Sequence, residues 1–303
     1  WTLNEGRDFQ DGEKLGLDTC PVEEITSFED LFNRFKKEVS YYIERIVENW
    51  NKAGSAPSAF LSLTLDNCLK EGKDISEGGC QYNNTGILGN GLATAADSLL
   101  VVKKVVFEEK RISLLELKKA LLGNFKDRKY LRQWLINKVP KYGNDIDEAD
   151  NMAKEVALYF CEEVSRHKNN RGGYFKPSLF SAGTYVFVGK KLGASPDGRK
   201  SAEPFSINAS PSLSRDKKGP TAVINSFVKL DLSKAGNGAI VDLTFHPTAL
   251  SGKEGEEKLA SFLASFVNLG GMQMQASVID SKILKEAQKH PERYQNLMVR
   301  IWG

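Results

Sequence analysis

The chain has 303 residues, 41% of them hydrophobic and 27% charged, which is enough for a large core at the upper size of one domain. This composition excludes an intrinsically disordered protein. The 42 basic and 39 acidic residues are mixed along the chain, so neither nucleic acid nor a membrane surface is expected as a partner, and no apolar run approaches the ~20 residues of a membrane-spanning helix.

The first half of the chain is predicted to be mainly helical. Apolar side chains recur at helical spacing over 28–50, with Ser27 as the N-cap and Asp30 three residues later. Further helices are predicted at 92–107, at 113–123 behind a capping box of Ser113 and Glu116, at 128–137, and at 147–167 with Asp147 as the cap. The glycine-dense stretch 72–91 is either a tight surface connection or a close approach of the backbone to another group.

The second half changes to short β-like runs separated by Gly, Pro and Ser. These runs are predicted at 184–188, 222–228, 239–245 and 272–279, with a helix over 256–267 and a final short helix capped by Ser281. Short buried strands that alternate with helices favour an α/β barrel or an open sheet over a sandwich. We predict one continuous domain with a mainly helical part at 1–165 and a strand-containing part at 166–303.

Spacing alone defines no familiar catalytic or metal site. The four cysteines, Cys20, Cys68, Cys80 and Cys161, show no CxxC spacing and indicate reduced thiols of a cytoplasmic protein. The three histidines are scattered and have no Cys, Asp or Glu at ligand spacing, so no metal site is predicted. No hydrolase or P-loop motif is present, which argues against hydrolytic and nucleotide-driven chemistry.

The C-terminal residues carry the most specific pattern. Gly270-Gly271-Met272 is followed by Gln273 and Gln275, and the chain ends in Val-Arg-Ile-Trp-Gly303. This segment resembles the C-terminal signature of the glycyl radical enzymes, in which the glycine at this position stores an unpaired electron. Glycine suits the role because the spin of its Cα radical spreads onto the adjoining amide and carbonyl, and no Cβ resists flattening of the centre.

Shorter motifs extend the resemblance over essentially the whole chain. They stand, in the order this family shows, at 4–7, 15–16, 72–74, 78–83, 97–107, 140–145, 171–173, 196–199, 210–211, 219–222, 230–231 and 245–247. The set looks closer to the dehydratase and lyase branch than to pyruvate formate-lyase. The resemblance implies an α/β fold that is part of a ten-stranded barrel, with a helix-rich first half and a second half rich in strands and loops.

The resemblance also implies a chemistry. A partner activase of the radical S-adenosylmethionine type removes a hydrogen atom from Gly303, and the radical is passed to a cysteine expected before Trp1. No cofactor is bound. Cys80 lies in a glycine loop but lacks the family's Gly-Cys-x-Glu context, so it is not assigned as that cysteine. The implied partners are the activase, the N-terminal part of the same enzyme and a small polar or anionic metabolite. The resemblance leaves the oligomeric state open, with a homodimer as one alternative.

Three side chains are candidate substrate contacts. The resemblance places 175–181 near the pocket, with Lys176 as a cation for an anionic substrate and Phe180 as a wall, and Asp66 is expected to face the barrel. The alternatives are an exposed loop charge for Lys176 and the polar side of a helix for Asp66. Because Gln273 and Gln275 alternate with methionines, one of the two sets should face inward.

Two other functions stay open. One is an acyltransferase of the pyruvate formate-lyase type, which uses two adjacent cysteines. The other is a structural or activase-docking fragment that is silent without the cysteine-bearing half. The start at Trp1 and the stop at Gly303 suggest a piece of a longer polypeptide.

Overall fold

A computed structural model describes residues 2–18 and 21–294 of the chain. Trp1, Thr19, Cys20 and residues 295–303 lie outside the described residues, and with them the prediction made for Gly303. Within the described part, no helix combines the length and the apolar character that crossing a membrane requires.

Eleven α-helices and four strands lie in the described ranges. The helices are α1 (Phe28–Ala53), α2 (Ala59–Ser62), α3 (Cys68–Glu71), α4 (Leu92–Val102), α5 (Leu114–Leu122), α6 (Lys129–Lys138), α7 (Asp147–Ser165), α8 (Thr184–Lys190), α9 (Pro220–Val228), α10 (Gly252–Asn268) and α11 (Ser281–Lys289). The strands are β1 (Thr85–Leu88), β2 (Phe175–Ser178), β3 (Ile240–Phe245) and β4 (Gln273–Val278). A π-helical segment, Lys103–Glu108, continues α4.

The predicted first helix is confirmed as α1. Its N-cap Ser27 accepts a hydrogen bond from the backbone N–H of Asp30 at 3.1 Å, which satisfies one of the free donors of the first turn. Leu31 and Phe32 are buried on its inner side. Gly54, at φ +67°, ends the helix in a conformation that favours glycine.

The four strands form one parallel arc. β1 pairs with β2 and β3 pairs with β4, both in parallel. A parallel bridge between Leu179 and Ala239 joins the two pairs, and Leu179 N donates to Gly238 O at 2.8 Å. The order is therefore β1, β2, β3, β4. Parallel neighbours connected through helices are what a segment of an α/β barrel requires, and that prediction is confirmed.

Helices cover one face of this arc. The main apolar core contains buried side chains from α4, α5, α9 and β3, among them Leu100, Leu117, Phe227 and Val241. Burying one such side chain contributes ~1.5–3 kcal/mol. The ring of Phe227 stacks on Phe266 of α10 with centroids 6.1 Å apart. These helices are thus fixed against one side of the strands.

The prediction of strands at 184–188 and 222–228 is wrong, because these residues are helical in α8 and α9. A short buried run of apolar residues gives the same signal for a strand as for a helix buried on most sides. Pro220 occupies the first position of α9, where a missing N–H leaves no bond unmade. At 222–228 the preceding proline therefore predicts the secondary structure better than the apolar run does.

β1 and β2 lie where the sequence predicts loops. β1 contains Gly86 and β2 contains Pro177, and both residue types argue against a strand. A Cβ on Gly86 would stand 2.3 Å from Nδ2 of Asn237, so a larger residue would fit only if the Asn237 side chain moved. Since β1 lies within 1–165 and β2 within 166–303, backbone hydrogen bonds connect the two predicted parts of the domain.

Other predicted elements are confirmed with small shifts. The strands at 239–245 and 272–279 are β3 and β4, and the helix at 256–267 is α10. The N-caps of α7 and α11 lie one residue earlier than predicted, at Ile146 and Asp280. At α11 the reason is visible, because the Asp280 carboxylate accepts from the backbone N–H of Lys282 at 2.8 Å.

Candidate active-site face

Alternation of side chains divides β3 and β4 between the core and the opposite face, called here the inner face. Val241 and Leu243 are buried in the core, so Asp242 between them points to the other side. The inner-face residues of these two strands are Ile240, Asp242, Thr244, Gln273, Gln275 and Ser277. Met274 packs against the core, which leaves the glutamines as the set that faces inward.

A polar network fixes the carboxylate of Asp242. Its Oδ2 accepts from Asn208 Nδ2 at 2.5 Å and from Ser210 Oγ at 3.1 Å. Ser210 Oγ also accepts from the backbone N–H of Asp242, and Asn208 Oδ1 accepts from Ser181 N, both at 2.8 Å. These bonds tie the segment after β2 and the loop around Asn208 to β3. The acidic group is therefore oriented before any ligand binds.

The phenol of Tyr185 lies near this network. Burial raises the pKa of Tyr185, and the negative charge of Asp242 raises it further. Tyr185 thus stays protonated at neutral pH and can donate a hydrogen bond. The preceding Thr184 donates from Oγ1 to Asn90 Oδ1 at 2.8 Å, which ties the start of α8 to the residues after β1.

The predicted contacts Lys176 and Phe180 both lie on the inner face, within and just after β2. Phe175 and Leu179 are buried in the core, so alternation turns Lys176 and Phe180 to the other side, where both are half-buried. The ring of Phe180 lies beside Gly238, where a φ of +106° favours glycine and a Cβ would be in ordinary contact with Phe180 Cε1 at 3.6 Å. The two residues are four positions apart, and their side chains lie on the same side of this extended segment.

Aromatic and glycine neighbours surround the lysine. Lys176 Nζ lies 5.7 Å from the ring centroid of Tyr174, and a Cβ on Gly236 would stand 3.3 Å from Lys176 Cδ. Within the described residues this ammonium forms no ion pair with a carboxylate. A cation held by a ring keeps its charge available for an anion.

The third predicted contact, Asp66, lies in a different part of the chain. It is exposed in the turn between α2 and α3 and belongs to none of the four strands. The neighbouring Asn67 donates from Nδ2 to Gly79 O at 3.2 Å, which fixes this turn to the glycine-dense loop. The inner face therefore brings together two of the three predicted substrate contacts.

A histidine and an acid join the carboxyl ends of β3 and β4. His246 Nε2 lies 3.5 Å from Asp280 Oδ1. The backbone N–H of Lys282, and after it the nearby imidazole, lowers the pKa of Asp280. Because Asp280 also caps α11, this pair sets where the helix leaves the sheet. Tyr294, nine residues before the end of the chain, donates from its hydroxyl to Glu286 on α11 at 2.7 Å.

Two concave spaces lie among the described residues. A groove of about 670 Å³ runs between α9 and α10, with Ile224 and Phe262 in its wall. A cavity of about 430 Å³ lies between α4 and the segment after α8, with Leu99 and Arg199 in its wall. Lys176 lines neither space. Among the residues that the structure describes, no group of three or more His, Cys, Asp or Glu is arranged to hold a metal ion.

Sequence reasoning missed Asp242, Asn208 and Tyr185. A signal for Asp242 exists, since it is a lone carboxylate within the apolar run 239–245 and alternation puts it opposite the buried residues. Asn208 and Tyr185 give no local signal. Their place in the network depends on how a loop and α8 pack against β3, which no short window of sequence contains.

Comparisons with known proteins agree along the whole chain. Residues 1–189 match the family described as pyruvate formate lyase-like, and residues 205–303 match the one described as glycine radical. The trans-4-hydroxy-L-proline dehydratase of Clostridioides difficile is 35% identical over 308 residues, which cover 100% of this chain and 39% of the relative. The (2S)-3-sulfopropanediol dehydratase of Klebsiella oxytoca is 36% identical over 99% of this chain and 38% of the relative.

Solved structures show the same fold. The glycerol-bound glycerol dehydratase from Clostridium butyricum superposes with a TM-score of 0.94 at 43% identity, over 99% of this chain and 38% of that one. The chain thus spans about two fifths of the length of the relatives that it matches. The arc of parallel strands is accordingly a segment of their α/β barrel.

Proposed function

Because this chain belongs to the pyruvate formate lyase-like glycyl radical enzymes, we propose that it is part of an anaerobic lyase that acts on a small polar or anionic metabolite. Relatives named as dehydratases, a decarboxylase and a sulfite-lyase support this class of reaction, in which a C–O, C–C, C–N or C–S bond breaks. The observation that carries the proposal is the glycine radical match over 205–303, whose last residue is Gly303.

In this proposal Gly303 stores the unpaired electron. A partner activating enzyme of the radical S-adenosylmethionine type first removes a hydrogen atom from its Cα. A cysteine in the N-terminal part of the same enzyme then gives a hydrogen atom to Gly303, and its sulfur radical takes a hydrogen atom from the substrate. The substrate radical loses its leaving group and recovers a hydrogen atom from the cysteine. This chain itself binds no cofactor in the scheme.

The inner face supplies the substrate contacts of this chain. Lys176 attracts an anionic group, because its ammonium rests on an aromatic ring and no carboxylate of the described chain neutralises it. Phe180 provides an apolar wall that keeps water from the reacting radical. Asp66 is proposed as a further polar contact from the turn between α2 and α3.

The partners and the compartment belong to the same proposal. Cysteines that show no CxxC or disulfide-framework spacing support a cytoplasmic location. The activating enzyme and the remainder of the same enzyme are the protein partners, and the assembly proposed is a homodimer.

Electron paramagnetic resonance tests the central claim. The full polypeptide is incubated under nitrogen with the activating enzyme, S-adenosylmethionine and a reductant, and a doublet signal is expected. Gly303→Ala should abolish the doublet. Gly123→Ala is a matched control that should keep it, because a Cβ there meets its nearest neighbour, Lys119 O, at 3.4 Å. A doublet that persists in Gly303→Ala would overturn the proposal.

A catalytically silent fragment is the second candidate. It is favoured by one observation, that the chain covers about two fifths of its relatives. The test compares the 303-residue chain alone with the same chain mixed with the remaining part of the enzyme, after activation. Turnover by the chain alone would contradict this candidate.

A further inference from the structure

Two cysteines away from the inner face lie close enough to react with each other. Cys68 on α3 and Cys80 in the glycine-dense loop are free thiols whose sulfur atoms are 3.7 Å apart. A disulfide bond is about 2.05 Å long, so the two sulfurs need to approach by only about 1.7 Å. The radical scheme uses neither of them.

The two thiols differ in exposure. Only 3% of Cys68 is accessible, and burial, followed by the neighbouring Cys80 thiol, raises the pKa of Cys68. Cys80 is half-buried. A small oxidant in solution therefore reaches Cys80 first, and the sheltered Cys68 is held beside it as a thiol.

Hydrogen bonds hold the loop between the cysteines in one shape. Asn67 donates from Nδ2 to Gly79 O at 3.2 Å, and Asn83 donates from Nδ2 to Cys80 O at 2.8 Å. A Cβ on Gly79 would stand 2.1 Å from Lys73 O, so the loop backbone packs closely against itself. Both ends of the loop are thus positioned by bonds that do not depend on the sulfurs.

Asp74 completes this arrangement from inside the loop. Its carboxylate accepts from Ser76 N at 2.9 Å, from Ser62 Oγ at 2.7 Å and from Ser58 N at 3.1 Å. The bond from Ser76, and after it the bond from Ser62, holds the pKa of Asp74 well below its usual range. The carboxylate stays charged at neutral pH and anchors α2 to the loop that carries the cysteines.

We propose that Cys68 and Cys80 form a redox-sensitive dithiol that a hydroperoxide oxidises to an intramolecular disulfide. The Cys80 thiolate attacks the O–O bond, gains one oxygen as a sulfenic acid, and releases hydroxide that becomes water. Cys68 then attacks the sulfenic sulfur, the S–S bond forms, and the oxygen leaves as a second water. The two thiols lose two protons and two electrons, and hydrogen peroxide takes them up and is reduced to two waters.

The disulfide joins α3 to the start of the β1–β2 pair. Asn83, three residues after Cys80, accepts at its carbonyl oxygen from Asn169 Nδ2 at 2.5 Å. Thr85, the first residue of β1, accepts from Asn169 Nδ2 at 3.0 Å and from Arg171 at 2.9 Å. Movement of Cys80 toward its partner is therefore transmitted to the beginning of a barrel strand.

Thiol counting and peptide mapping test the proposal on the full chain. Cys20 lies outside the described residues, so the measurements use a Cys20→Ser background with three cysteines. The reduced protein is treated with a small molar excess of hydrogen peroxide, alkylated under denaturing conditions and digested with trypsin. Cys161 is an internal control, because it is 2% exposed and burial raises its pKa to about 12.

We expect the free thiols to fall from three to one per chain, and dithiothreitol to restore all three. The tryptic peptides 53–70 and 74–103 should be recovered as a linked pair that lacks two hydrogens. In Cys80→Ser the count should stay at two. Cys80 found as a sulfinic or sulfonic acid with Cys68 still alkylated would overturn the proposal, and so would a linked pair that contains Cys161 or a Cys80 thiol that survives unoxidised.

Discussion

Asp242 on β3 stands directly opposite Gln275 on β4 in the register of the parallel pair, and both side chains lie on the inner face. This pairing joins a carboxylate and an amide at the centre of the inner face. Because Asn208 and Ser210 orient the carboxylate, the polarity of this face is built into the fold. Replacing Asp242 therefore tests how much this orientation stabilises the fold.

The first prediction concerns the hydrogen-bond network. Asp242→Ala should destabilise the protein by ~1–3 kcal/mol, because the Asn208 amide and the Ser210 hydroxyl lose their acceptor. Asp242→Asn keeps an oxygen in place and should cost less. Urea unfolding midpoints measure both. Thr244→Ala, on the same strand and face but exposed, is the control with little change. Equal losses for the Ala and Asn variants would contradict the role of the oxygen acceptor.

A second prediction concerns substrate charge. Lys176→Gln should lower kcat/KM for an anionic substrate by ~10-fold or more, since a charge-assisted hydrogen bond contributes ~1.5–3 kcal/mol. It should leave kcat/KM for a neutral polyol nearly unaffected. Sulfopropanediol and glycerol, on which relatives of this chain act or to which they bind, serve as the two probes for the activated full enzyme.

Lys52→Gln is the matched control for this experiment. Its ammonium is exposed on α1 and should change neither rate. Equal losses of kcat/KM for both probes in Lys176→Gln would show that the lysine supports the fold and does not recognise the substrate.

A third prediction concerns the ion cluster around Lys229. Its ammonium donates to Asp145, Asp147 and Asp150 at 2.7–2.9 Å, and Asp150 is fully buried. Lys229→Met should cost ~3–5 kcal/mol, because it leaves a buried carboxylate without a counter-charge. Lys258→Met removes an exposed pair with Glu254 and should cost ~0–1 kcal/mol. Chemical denaturation of both variants measures the difference, and similar losses would refute the argument.

The same cluster gives a pH dependence. Hydrogen bonds from Lys229 and Asn225 lower the pKa of Asp145 in the folded protein relative to the unfolded chain. The folded state therefore binds this proton less readily, and the stabilisation is present above the ordinary value of 3.8 and lost as pH falls through the lowered pKa. The stability gap between wild type and Lys229→Met should accordingly narrow in acid. A gap that widens below pH 4 would mean that other groups control it.

A fourth prediction tests the approach of two backbones beside β1 and β2. A Cβ on Gly173 would lie 2.1 Å from Asn83 O, whereas one on Gly172 would meet nothing within 4 Å. Gly172→Ala should cost ~1 kcal/mol, because φ at this residue is +82° and only conformational strain is added. Gly173→Ala should cost clearly more, since the backbone must move. The thermal unfolding temperatures of the two variants measure this difference. Equal decreases would show that the contact between Gly173 and Asn83 O is not tight.

Local sequence patterns predict α1, α10, β3 and β4, because the apolar pattern of each lies within the segment itself and α1 also has its N-cap Ser27. They fail at β1 and β2, because Gly86 and Pro177 are residue types that argue against a strand. They also fail at α9, because burial on most sides removes the helical period, and at α8, because the run 184–188 is too short to distinguish a helix from a strand. The radical chemistry expected at the C-terminal end follows from family resemblance. Helix and strand propensities carry no information about it.

The residues of the candidate site also fall into those that the sequence identifies and those that it does not. Lys176 and Phe180 could be named in advance because a recognisable segment contains both, and alternation then fixes their face. Asp242 could have been found from a single charge in an apolar strand. Asn208 and Tyr185 could not, because 34 residues separate Asn208 from its partner Asp242 and tertiary packing alone joins them.

The parallel arc has a practical consequence for handling the protein. Among the described residues, β1 and β4 each pair with one neighbour, so each carries a row of backbone N–H and C=O groups on its outer side. Unpaired strand edges of this kind form backbone hydrogen bonds with strands of other molecules. Produced without the rest of its barrel, the polypeptide should self-associate through them, and co-expression with the complementary part should keep it dispersed.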